Sequence, residues 1–248
     1  MTERAEDLQL ETLRAFTSLC SLKENWGGAL IVACGLSGRG EAFSIASNIA
    51  GAGFLAVESR PEVCRAAVRS GACDFVVNSV DEALRILKNE IRKHKAVSVA
   101  LSFDQAAAME ELAIRGVQPE MFAAFGEPAS AAAAAAEQFR AHGALVARFD
   151  STSPSDLDTA AELEKFTMEQ GLKSVAFLFL SGEQQRAREA ELLQIVPEGD
   201  PRRRWFTAAP RFFHRERPHR RLGYLTLAEM DALGATSVSG EQITPPQP

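Results

Sequence analysis

The chain has 248 residues, of which 46% are hydrophobic and 24% charged, with a formal net charge of −6. That is enough for one sizeable core or two modest ones, and the acidic balance makes neither nucleic acid nor a membrane surface an expected partner. No apolar stretch approaches the ~20 residues of a membrane helix, and the opening MTERAEDLQLETL lacks the basic start and apolar core of a signal peptide, so a cytoplasmic location is expected.

Leu8 to Leu22 reads as an amphipathic helix, with Leu10, Leu13, Phe16 and Leu19 at helical spacing. ALIVACG (29–35) is a nearly continuous apolar run, which suits a strand buried on both faces. EAFSIASNIAGAG follows as a helix ending at Gly51 and Gly53, and FLAVES is the next strand. PEVCRAAVRSG opens with Pro61 at a first helical position and closes with Gly71 as its cap. DFVVNS and AVSVALS read as strands on either side of the periodic helix VDEALRILKNEIRKH. DQAAAMEELAIRG is a helix closed by Gly116, and the alanine-rich ASAAAAAAEQFRAHG is another, followed by the strand ALVARFD. Further on, the serines of STSPSD offer an N-cap for a helix over DLDTAAELEKFTMEQG, and SVAFLFL is the last clear strand.

Strands alternating with helices in units of roughly thirty residues predict an α/β fold, a mostly parallel sheet covered by helices on both faces. We divide the chain into an N-terminal helix (1–27), the α/β domain (28–182) and a C-terminal appendage (183–248) with a frayed end.

Gly35, Gly38 and Gly40 stand at the carboxyl end of the first strand of this sheet, where open α/β sheets bind ligands. Glycine permits positive φ and lets a phosphate approach without meeting a Cβ, and the next helix points its amides at the same spot. The spacing is GxxGxG rather than GxGxxG, and such a cluster serves equally as a plain βα turn. Glu58 ends the second strand about twenty residues on, where a carboxylate can accept from the ribose hydroxyls of an adenosine. An acid there repels a 2′-phosphate and so favours NAD over NADP, although Arg39 and Arg60 lie close enough in sequence to act against it.

With these residues in place, the chain resembles the urocanase (urocanate hydratase) family, in its NAD-binding Rossmann domain. The family's turn GLGGMGGAQ is matched by GLSGRGEAF. Its acid-ended strand and LDEAL helix are matched by LAVESRPEVCRAAVRSGACDF and SVDEALRIL, and its RRGVxPD by AIRGVQPE. A fainter similarity links its ALSGDP … LIP segment, downstream Trp and final glycine stretch to FLSGEQQRAREAELLQIVP, RRRWF and LGYLTLAEMDALG. The resemblance implies a Rossmann-like doubly wound fold, NAD as cofactor and a homodimer. It places the activity, where retained, in histidine metabolism as a lyase, with NAD acting as an electrophile toward urocanate. It further implies that Gly38, Arg39 (through its backbone) and Gly40 hold the phosphates and Glu58 the ribose.

Several stretches depart from the family pattern. Asp104, in FDQA, stands where the family's GNAA has asparagine, a cofactor-lining position where a carboxylate accepts but cannot donate. AAFGEPASAA replaces the cofactor loop TDQTSAHDP. The catalytic cysteine motif before ALSG is replaced by MEQGLKSVAFLFLSG, which contains no cysteine. A dinucleotide-binding domain without urocanate hydratase activity is therefore expected. The alternatives are a hydratase working as an oligomer or with a partner chain, and a nucleotide-free interaction scaffold.

Cys20, Cys34, Cys64 and Cys73 form no CxxC pair and have no histidine at ligand spacing, so free thiols are expected and no metal site. Residues 202–221 carry eight arginines with His214 and His219, interleaved with Trp205, Phe206, Phe212 and Phe213. This is either a phosphate- or acid-binding surface or a solvated basic face whose aromatics are core, and the second is preferred. His94 and His142 lie near helix ends, where the dipole accounts for them. Asp156, Asp158, Glu162 and Glu164 read as dipole compensation at a helix start.

Overall fold

The apolar run after the first helix becomes a central strand because both of its faces are covered. The computed structural model describes residues 2–125, 130–148, 175–179, 194, 198, 202–209, 212 and 220–224. Strand β1 (Leu30–Cys34) leads through α2 (Arg39–Ala50) to β2 (Gly53–Glu58), then α3 (Pro61–Ser70), β3 (Phe75–Val77), α4 (Val80–Ile91) and β4 (Val97–Ser102). Helix α5 (Gln105–Ile114), β5 (Met121–Ala124), α6 (Ser130–Ala141) and β6 (Leu145–Arg148) complete the alternation. Helix α1 (Thr2–Leu22) precedes it, beginning one and a half turns before the periodic stretch at Leu8.

All five strand pairs are parallel, in the order β3-β4-β2-β1-β5-β6. Alternate residues of each strand point to opposite cores. Ile31, Ala33, Phe54 and Ala56 meet α1, α2 and α3 on one face. Val32, Cys34, Leu55 and Val57 meet α4, α5 and α6 on the other. Each fully buried Val, Leu or Ile contributes about 1.5–3 kcal/mol over leaving it exposed, so a charge at Val32 would undo the sheet's centre. This is the doubly wound α/β arrangement expected from the alternation. Helix α1 is part of it, with Leu13, Phe16 and Leu19 buried in the first core.

Local signals set the element ends. Ser79 caps α4 by accepting from the Glu82 amide (3.3 Å), and Gly51 and Gly71 close α2 and α3 in left-handed conformation. Sequence patterning does not single out Met121–Ala124, yet this segment pairs with β1 and creates the switch point. Between β1 and β5 the winding reverses, leaving a crevice at the carboxyl edge.

The strand expected in SVAFLFL forms as β7 (Val175–Phe179), but its partner is the antiparallel β8 (Arg220–Tyr224) in a separate two-stranded sheet. Helix α7 (Arg202–Ala208) docks on the first core through Trp205. The expected helix over 156–171 with its acidic cluster, the segment 181–193, most of 211–219 and the C-terminal tail lie outside the described residues.

Candidate functional site

Three glycines at the end of β1 do different work. Gly35 has φ +87°, and its amide donates to the Val57 carbonyl at the end of β2 (2.9 Å). A Cβ on Gly35 would run into the Phe125 carbonyl at the end of β5, and one on Gly40 would lie 2.5 Å from the Gly35 oxygen. These two glycines therefore let β1, β5 and α2 close on one another. Gly38 differs: with φ +60° and ψ −114°, a Cβ there would meet nothing within 4 Å. It is the N-cap residue of α2, and no side chain caps that helix. The amides of Gly40, Glu41 and Ala42 turn back to the Ser37 and Gly38 carbonyls (3.1–3.3 Å). With no side-chain cap and open space at Gly38, the positive end of α2 is nevertheless open to the approach of an anion. Glu41 in the first turn partly offsets the dipole, and its carboxylate accepts from Ser70 Oγ (2.7 Å).

Glu58, at the end of β2, is only 2% exposed. Its Oε2 accepts from the Leu36 amide (3.2 Å), which draws the carboxylate onto the glycine turn. The same oxygen accepts from Arg60 Nη2 (3.0 Å), while Oε1 accepts from the Arg60 amide (3.1 Å) and Arg60 Nε (2.8 Å). Arg60 Nη2 also donates to Ser37 Oγ (3.3 Å). Burial alone would push the Glu58 carboxyl up. The Arg60 side-chain bonds, the Arg60 and Leu36 amides and the Arg60 charge outweigh it and hold the group below its ordinary value. A carboxylate has about four acceptor positions, and here all of them are taken.

Asp104 ends up on the same edge of the sheet, since the Phe103 amide donates to the Glu58 carbonyl (3.3 Å). Its own side chain is the N-cap of α5, accepting from the Ala107 amide (2.9 Å). Arg39 is exposed at the first position of α2. The structure therefore gathers Gly35, Gly38, Arg39, Gly40 and Glu58 at one turn, with Asp104 beside them turned to its own helix. Arg60, Leu36, Ser37 and Phe125 are the site residues that motif reading does not select. For Arg60 the signal was its place two residues after the acid.

Cys34, Cys64 and Cys73 are buried, and Cys20 is half-buried. Cys64 lies under the site, its Sγ 3.6 Å from the Glu58 carbonyl, and burial pushes its thiol up. Cys73 is buried and pushed up to about 12. Among the described residues no group of three or more His, Cys, Asp or Glu could hold a metal ion, and no helix is long and apolar enough to cross a membrane. In the arginine-rich stretch, Trp205 is buried with its ring centroid 5.5 Å from that of Phe16. Arg204 donates to the Ala50 carbonyl and to Asn25 Oδ1 (3.0 Å). Trp205 and Arg204 thus pack against the domain, while the side chains of Phe206 and Phe213 lie outside the described residues. His142 sits at the end of α6 with Nδ1 2.8 Å from the Gln138 carbonyl, and His94 lies against Gly28.

A family model, the urocanase Rossmann-like domain, matches residues 10–168, well over half of the chain. The matched span contains α1 from residue 10 onward, the whole six-stranded sheet and the glycine turn. By its sheet order, its glycine turn and this match, the chain belongs to the urocanase family through its Rossmann-like domain.

Proposed function

We propose that this chain binds a nicotinamide adenine dinucleotide of the NAD type and lacks urocanate hydratase activity of its own. The observation that carries the reading is the open, uncapped start of α2 at Gly38, at the switch point of the sheet. There the diphosphate would lie against main-chain amides, with Gly35 and Gly40 keeping the turn tight and Arg60, held by Glu58, facing the adenosine ribose. In this family the bound dinucleotide supplies an electrophile. The chain's own residues would bind and orient it, but no cysteine stands where the family's catalytic cysteine motif lies. Cys34, Cys64 and Cys73 are buried, and two of these thiols are pushed up by burial, away from the thiolate a nucleophile needs.

Purified full-length chain tests this by mass spectrometry of copurified nucleotide and by thermal shift. A ligand at a hundred times its Kd stabilises by about 2.7 kcal/mol, and Gly38→Val should abolish the shift. No nucleotide and no shift would leave an interaction scaffold instead. Loss of urocanate absorbance on adding the chain would show a hydratase. A homodimer belongs to the same proposal, and light scattering on the eluted peak tests it.

A further inference from the structure

The ribose end of the site offers a cation where the family pattern anticipates an acid. Of the five N–H donors of a guanidinium, Arg60 spends Nε–H on Glu58 and the two on Nη2 on Glu58 and Ser37. The two on Nη1 take no partner among the described residues, and the Arg60 side chain is 54% exposed. Glu58, for its part, is 2% exposed and has no acceptor position left for a ribose diol. Glu58 and Arg60 form a neutral pair, so what they offer an anion is the outward Nη1 donors rather than net charge. Arg39, two residues from Ser37, brings a positive charge to the same turn, against Glu41 in the first turn of α2 and Glu62 in the first turn of α3.

We propose that Arg60, fixed by Glu58 and Ser37, makes this a site for the 2′-phosphorylated dinucleotide, its Nη1 donating to the phosphate. Charge-assisted N–H bonds from Nη1 to a phosphate oxygen are roughly twice as strong as the neutral bonds that a diol oxygen would accept. The inference rests on the dinucleotide reading above and specifies which form that site selects.

The test is titration of the full-length chain with NADP, NAD, 2′,5′-ADP and ADP, read as Kd by calorimetry. The expected result is NADP at least tenfold tighter than NAD, with 2′,5′-ADP ahead of ADP in the same way and the advantage shrinking as salt rises. Arg60→Ala, checked for folding by circular dichroism, should remove the preference. Arg60→Lys, which keeps the charge without the fork, should retain part of it. NAD equal to or tighter than NADP in the wild-type chain would overturn the inference and leave the dinucleotide reading standing. An undiminished preference in Arg60→Ala would overturn the role of Arg60. Binding of neither dinucleotide would overturn both readings together. The wild-type ratio decides even if the alanine variant fails to fold.

Discussion

The carbonyl of Phe125 occupies the space that a Cβ on Gly35 would need, so the first residue after β5 and the first residue after β1 are in backbone contact. The Phe125 amide completes the join by donating to the Cys34 carbonyl (2.8 Å). Its ring packs on Phe43 of α2 at 5.3 Å between centroids. The glycine turn is therefore held from three sides before any ligand arrives.

Gly35→Ala should destabilise the fold severely. Left-handed strain costs about 1–2 kcal/mol, and forcing an atom into a filled space adds roughly 1–3 kcal/mol. Gly38→Ala, in open space, should cost only the backbone strain, about 1–3 kcal/mol. Urea unfolding followed by tryptophan fluorescence compares them, and equal losses would contradict the difference in packing.

Glu58→Gln should lower stability by about 1–3 kcal/mol at neutral pH, because it leaves buried donors without their ionised acceptor. The folded carboxyl titrates below its ordinary value of 4.5. Its contribution is thus complete above that value and is lost as pH falls through the lower, folded value. The gap between wild type and variant should narrow on acidification below pH 4.5 and stay constant from pH 6 to 8. A gap that widened in acid would contradict the ion pair.

Asp74→Ala should cost about 2–4 kcal/mol, since Asp74 Oδ2 is the shared acceptor for three donors and each orphaned donor costs roughly 1–3 kcal/mol before relaxation. The donors are the Ser98 amide (2.8 Å), Ser98 Oγ (2.9 Å) and Asn48 Nδ2 (3.1 Å), joining β4 and α2 to the start of β3. Asp74→Asn should recover part of the loss. A neutral alanine variant by thermal unfolding would remove this network from the account of stability.

Cys34, Cys64 and Cys73 should react with a thiol reagent only on unfolding, and half-buried Cys20 should react first. The thiol of Cys73 stays protonated at any ordinary pH, being pushed up to about 12 with Ser44 Oγ 3.5 Å from its sulfur. Mass spectrometry after timed labelling should show one early adduct, then three together at the unfolding midpoint. Early labelling of Cys64 would place it at an accessible site after all.

Much of the fold was legible in the chain because it is written in local terms. The unbroken apolar run of β1 (Leu30–Cys34), the Pro61 and Gly71 brackets of α3 and the periodic VDEALRILKNEI helix each carry their signal within one element. The glycine turn and the acid at Glu58 were legible for the same reason, since they sit at the ends of recognisable strands.

Strand β5 was not, because four residues between a helix and a glycine carry too little pattern; only its backbone bonds to β1 make it a strand. Nor could sequence say that Trp205, nearly two hundred residues from Phe16, would close the first core, or that SVAFLFL would pair away from the parallel sheet.

The sequence by itself determined the alternation of strands and helices, the family and the position of the turn, because apolar period, caps and glycines act over a few residues. Tertiary structure decided the strand order and the state of Glu58. Whether a carboxylate is offered to a ribose or filled by an arginine depends on which donors converge on it in space. That convergence is set by how β1, β2 and the turn between them pack together.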